Sequence, residues 1–277
     1  MRIPKIIVHC LVKNEENFIW YAIKSVLPFV DKIMVWDTGS TDNTVEIIKS
    51  IKSFKIDFKE IGSVDSKSFT KARNDMLIAT AKQKYDWLMI LDGDEIWPSH
   101  AIRKILKHID TNPETQEVFV RTINVIGDIY HKQPESAGHY KIKGITGHLG
   151  LRFINLKQVP GLHVSLPYGK EGYFSQDDVL IQKLPNVGFV DTSYLHTTHL
   201  KRSSKDIFTL KRGFKRKFEI GEKVDRNILP QVLFKKHSAI VKNVTRRMSP
   251  VSWLLCVVET LPRYIKRILH IFQNEGY

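Results

Sequence analysis

Trp87-Leu88-Met89-Ile90-Leu91-Asp92-Gly93-Asp94-Glu95 runs five apolar residues straight into a cluster of three acids. An apolar stretch without alternation is the signature of a strand buried on both faces, the usual state of a parallel strand between two helix layers. The carboxyl end of such a strand is where an open α/β sheet binds ligands. Carboxylates crowded there repel one another and lose hydration, so a hard cation with oxygen ligands, Mg²⁺ or Mn²⁺, is a natural compensation. Gly93 lets the backbone come close to a bound group. The competing reading is an acidic surface turn, because Asp-x-Asp is short enough to recur by chance.

The residues before this stretch alternate strand and helix. Ile6 to Val12 reads as a first buried strand, and Glu15 to Leu27 carries Phe18, Ile19, Ala22, Ile23 and Val26 at helical spacing before Pro28. Lys32 to Trp36 is a second strand. Asp37-Thr38-Gly39-Ser40-Thr41-Asp42 is a turn that caps the helix of Val45, Ile47, Ile48 and Ile51. A third strand over Ile56 to Ile61 and a helix from about Ser68 to Lys82 lead into the acidic stretch. Such βαβα order predicts an α/β fold with a mostly parallel sheet between helix layers.

Charge divides the chain unevenly. Of its 277 residues, 43 are Lys or Arg and 29 Asp or Glu, and from residue 201 onward there are 18 basic and 6 acidic residues, a net +12. Residues 1–200 are nearly neutral, so the excess reads as a basic module suited to phosphate-rich partners such as an anionic membrane surface, a lipid phosphate or nucleic acid. Cys10 and Cys256, both in apolar runs, make no disulfide framework and suit a reduced cytoplasmic setting. No export signal is expected in Met1 to Val12, and no run of about 18 apolar residues reads as a span.

Leu11-Val12-Lys13-Asn14-Glu15-Glu16, Asp37-Thr38-Gly39-Ser40-Thr41-Asp42, Lys71-Ala72-Arg73-Asn74 and Leu91-Asp92-Gly93-Asp94-Glu95 together resemble inverting family 2 glycosyltransferases with the GT-A fold. The likeness is good over about residues 5–110 and looser beyond. It implies a Rossmann-like catalytic domain over residues 1–200, with the nucleotide-sugar half in 1–110 and the acceptor side in 111–200. A basic helical extension follows over 201–277. It also implies that Leu11, Lys13 and Glu15 line the base and ribose, that Asp37 accepts from the base, and that Arg73 lies near base or phosphates. Asp92 and Gly93 would border the ribose, and Asp94 would ligate Mg²⁺ or Mn²⁺. Read without the likeness, Glu15 is a helix first-turn acid, Asp37 and Asp42 are turn and cap residues, and Arg73 is a solvated helix charge.

The second half is less legible. Val118 to Val125 and Leu151 to Asn155 read as strands, and Asp128 to Ile145 as a loop. Where a related subgroup carries His-Glu, this chain has His163-Val164. Gln176-Asp177-Asp178-Val179-Leu180-Ile181-Gln182-Lys183 is similar to the family's Glu-Asp-x-x-Leu-x-x-Arg segment, which makes Asp177 the implied general base and Asp178 its understudy. An inverting transfer needs such a carboxylate to take the proton of the attacking hydroxyl. The plain reading is a helix N-cap pair. The family also often completes its metal shell with a downstream His, here His199 or His196.

In the tail, Ile207, Leu210, Phe214 and Phe218 lie at helical spacing among basic residues, and Val251 to Leu269 is apolar but interrupted. Basic charge beside aromatics suits both segments to a membrane interface, the competing reading being helices packed on the core with a solvated basic face. The expectation is therefore a metal-dependent glycosyltransferase using a nucleotide-sugar donor, UDP-linked in the first instance. Its acceptor is a glycan or lipid-phosphate-linked molecule in glycan-precursor synthesis, and its place is the cytoplasm or the inner face of the cell membrane. A nucleotidyltransferase would carry a Gly-rich basic loop after the first strand, where Lys13-Asn14-Glu15-Glu16 stands. A nucleic-acid-binding protein would spread basic residues over the sheet, so no nucleic-acid partner is expected.

Overall fold

The structure is a computed structural model that describes residues 4–167, 169, 171–206 and 219–271. Its first half follows the alternation read above: β1 (Ile6–Val12), α1 (Ile19–Val26), β2 (Lys32–Asp37), α2 (Thr44–Ser50), β3 (Ile56–Glu60), α3 (Ser66–Ala81) and β4 (Trp87–Ile90). A two-residue β5 (Glu95–Ile96), α4 (Ser99–Thr111) and β6 (Glu117–Asn124) follow. The expected loop after β6 contains three short strands: β7 (His131–Lys132), β8 (Tyr140–Ile142) and β9 (Ile145–Gly147). Then come β10 (Leu149–Asn155), β11 (His163–Ser165), β12 (Gly172–Phe174), β13 (Val187–His196), β14 (Glu222–Lys223) and α5 (Pro250–Ile271).

Eight strands form one sheet in the order β3-β2-β1-β4-β10-β6-β13-β5. The first four run parallel, β10 lies antiparallel to both β4 and β6, and β13 is parallel to β6. All seven residues of β1 and all four of β4 are buried, as strands covered on both faces must be. Period-two alternation sorts them between two cores. Ile6, Val8, Cys10, Val12, Met89 and Leu91 pack with α1, α2 and α4, whereas Ile7, Leu11, Leu88 and Ile90 pack with Met76 and Leu77 of α3. Helix α3 is started by a capping box in which Asp65 accepts from the Ser68 amide and the Ser68 hydroxyl bonds back.

The C-terminal third is joined to this body. Val224, Leu229, Val232, Leu233 and Val241 are buried in the same core as α1. Between residues 219 and 249 the chain is largely irregular, with a short strand and two 3₁₀ turns where helix was expected, and only Pro250–Ile271 is α-helical. The sequence expected a basic helix over 207–218, which lies outside the described residues.

Candidate functional site

The acids of the opening stretch leave β4 through a turn in which the Glu95 amide bonds the Asp92 carbonyl at 3.1 Å. Gly93 permits this turn for a packing reason: a Cβ there would stand 2.8 Å from Glu15 Cγ and 3.1 Å from Val12 Cγ2. Asp94 and Glu95 point inward, at 2% and 0% exposure, whereas Asp92 stays partly open. Strand β13 arrives antiparallel to β5 with His196 opposite Glu95, and the Thr197 amide bonds the Asp94 carbonyl at 2.9 Å.

Asp94 and Glu95 each have a cation. Arg202 Nη1 lies 2.7 Å from Asp94 Oδ2 and 3.0 Å from Glu15 Oε1, and His196 Nε2 lies 3.5 Å from the same Asp94 oxygen. Burial alone would raise the Asp94 carboxyl, but His196 and Arg202 hold it well below the usual carboxylate range. Burial lowers His196, and the Asp94 charge outweighs this and raises it. His196 Nδ1 is held by Asn124 Oδ1 at 3.0 Å, and Asn124 in turn meets His148 Nδ1 at 3.0 Å. Glu95 pairs with Arg152, yet burial and the neighbouring Asp92 and Asp94 charges push it up to about 7. Arg152 and Arg73 also reach Asp92, at 3.5 Å and 3.8 Å, and Arg73 Nη1 lies 3.2 Å from the Tyr173 hydroxyl.

The base-side residues sit at the ends of β1 and β2, which pair Val12 with Asp37. Asp37 is buried and accepts the Gly39 and Ser40 amides through Oδ2, both at 2.9 Å, while its Oδ1 has no partner among the described residues. Gly39, at φ +82°, makes that turn. Leu11 is buried in the α3-side core, and exposed Lys13 reaches Ser63 Oγ at 3.2 Å. The Nε atoms of Arg73 and Arg152 are likewise buried without hydrogen-bond partners among the described residues. These unfilled donors and acceptors suit an anionic ligand carrying an imide.

The acceptor-side expectations fare differently. Asp177 and Asp178 are exposed in a turn, not at a helix N-cap, and Asp178 Oδ1 lies 3.1 Å from His163 Nε2. Val164 is buried, its amide and carbonyl both bonded by the Asn74 side chain at 2.8 Å. Glu171, just before β12, instead acts electrostatically on Arg73, together with Tyr173 and Asp92. His199 lies 3.2 Å from Gln133 Oε1, whereas His196 faces Asp94.

Asp94 and His196, whose Nε2 lies 3.5 Å from Asp94 Oδ2, are the two side chains that would hold a cation here. Among the described residues no group of three His, Cys, Asp or Glu side chains surrounds a common point. One carboxylate and one imidazole fit a Mg²⁺ or Mn²⁺ ion that takes its remaining oxygens from diphosphate and water. Arg202, Arg152, Asn124 and Tyr173 had no sequence signal of their own. Arg202 reads as part of the Lys201-Arg202 pair that opens the basic tail.

The sheet order, with the acidic turn at the end of β4 and helices on both faces, defines a mixed α/β architecture of the GT-A kind. Residues 8–163 match Glycosyl transferase family 2, and the chain belongs to that family. An uncharacterized glycosyltransferase of Rickettsia typhi is 36% identical over 91 residues, 33% of this chain and 28% of that protein. One of Rickettsia prowazekii is 35% identical over the same length, so the chain spans under a third of these relatives. Among solved structures, S. aureus TarS aligns at 15% identity and TM-score 0.47 over 70% of this chain and 37% of that one. Glucosyl-3-phosphoglycerate synthase from Mycobacterium tuberculosis, in complex with Mn²⁺ and uridine-diphosphate-glucose, aligns at 21% identity and TM-score 0.31 over 44% of each chain.

Proposed function

We propose that this chain transfers a glycosyl group, with inversion, from a nucleotide-sugar donor, UDP-linked in the first instance, to a hydroxyl of a glycan or lipid-phosphate-linked acceptor. The observation that carries the reading is the convergence, at the carboxyl ends of β1, β2 and β4, of Glu15, Asp37 and the Asp92–Glu95 turn, with Arg73, Arg152 and Arg202 beside them. Asp37 Oδ1 accepts the base imide and Lys13 lies at the rim. Arg73 and Arg152 provide positive charge beside Asp92, where the ribose and diphosphate pass. Asp94 and His196 would hold Mg²⁺ or Mn²⁺, which supplies positive charge against the leaving diphosphate. The acceptor proton goes to a carboxylate of the segment around β12. Family register favours Asp177 as the base, with Asp178 beside it in the same exposed turn and Glu171 as the next carboxylate of the segment.

The test is calorimetric titration of UDP in the presence of Mn²⁺. Asp94→Asn should weaken binding at least tenfold, about 1.4 kcal/mol, while its circular dichroism spectrum matches wild type. Equal affinity in the two proteins would remove Asp94 from the donor site, and no UDP binding by wild type would remove the donor assignment itself.

A further inference from the structure

Helix α5 leaves an apolar face uncovered. Cys256 is its buried anchor, 3.5 Å from Met248 Sδ, and the Thr260 hydroxyl accepts the Ile220 amide at 2.7 Å. With about 3.6 residues per turn, Val251, Leu254, Val258, Leu261 and Ile265 fall within about 40° of the line opposite Cys256. All five are at least half exposed, between 50% and 71%. Such an exposed apolar stripe marks a surface with a partner.

A basic cavity lies at the foot of the same helix. It has a volume of about 250 Å³, and Lys201, Lys242, Arg246 and His199 line it together with Asn243 and Ser252 of α5. Its one lining carboxylate, Asp128, is already engaged by the Tyr130 and Met248 amides at 2.8 and 3.0 Å and by His131 Nδ1 at 2.7 Å. The cavity therefore presents net positive charge next to Val251, where the apolar stripe begins.

We propose that α5 and this cavity form a docking face for an anionic phospholipid surface, with the helix lying along the interface and a headgroup phosphate seated in the cavity. No described helix is long and apolar enough to cross a membrane, which leaves α5 the interfacial mode. Charge selects the partner. With 18 basic and 6 acidic residues from position 201 onward, a second copy of the chain would meet like charge, whereas an anionic bilayer meets opposite charge. This docking goes beyond the donor-site reading and does not depend on it.

Flotation of the full chain with phosphatidylcholine vesicles, with and without phosphatidylglycerol, tests the proposal. Wild type should float only with the phosphatidylglycerol vesicles and be released by high salt. Leu254→Glu combined with Val258→Glu should cut the bound fraction at least tenfold, and Arg246→Glu should also weaken it. Leu254 and Val258 are exposed and neither is among the donor-site residues, so UDP titration of that variant should match wild type and report folding. Failure of wild type to float, or equal flotation of wild type and the stripe variant, overturns the proposal. So does a wild-type dimer that the stripe variant converts to monomer without any flotation, since a second copy then covers the face.

Discussion

Arg202 bonds Asp94 across 108 residues of sequence, Nη1 to Oδ2 at 2.7 Å, and holds Glu15 with the same nitrogen at 3.0 Å. One guanidinium thus compensates two buried carboxylates at the point where the proposed donor diphosphate arrives. Asp94, held low by His196 and Arg202, contributes stability above the ordinary carboxylate pKa and loses it as pH falls. His196, held high by Asp94, contributes below its ordinary value and loses it as pH rises through the elevated one.

Arg202→Ala should therefore cost roughly 3–5 kcal/mol, the usual penalty for leaving a buried charge alone. Because Asp94 and His196 are then free to take another cation, Mn²⁺ should raise the melting temperature of this variant more than that of wild type. Thermal unfolding with and without Mn²⁺ checks both statements. No shift in either protein would separate Asp94 from cation binding.

The identity of the base divides Glu171 from Asp177. A group acting only in the transition state lowers kcat without changing donor affinity. Asp177→Asn should reduce kcat by about 10² to 10⁴, and Glu171→Gln by less than tenfold. Rates measured beside UDP titrations distinguish them. The opposite ranking would move the base to Glu171 and break the register in which Gln176-Asp177 stands on the family's Glu-Asp.

Glu117 opens β6 at 0% exposure, and neither of its carboxylate oxygens has a hydrogen-bond partner among the described residues. Burial pushes it up to about 8 against the charge of Lys143. A raised carboxyl favours the folded state at low pH, and that contribution is lost as pH rises from about 4.5 through about 8. Glu117→Gln should consequently be more stable than wild type at pH 9 by roughly 1–3 kcal/mol, the cost of an unpartnered buried polar group. Denaturant unfolding at pH 6 and pH 9 measures this, and parallel pH dependences would contradict it.

The sequence by itself determined the parallel half of the sheet and the place of the acidic turn. Strands β1, β2 and β4 are marked by apolar runs, and α1, α2 and α3 by helical periods, because burial on both faces leaves a pattern within a few neighbouring residues. The carboxylates at their ends were legible for the same reason. What surrounds those carboxylates was decided only by the tertiary structure. Arg152 comes from β10, which closes antiparallel on β4, and Arg202 comes from beyond β13. A buried charge is compensated by whichever opposite charge the fold brings near it, and that choice has no sequence period. His196 rather than His199 faces Asp94 because the ladder between β13 and β5 ends on the pair His196 and Glu95, and three residues later the chain has turned toward Gln133.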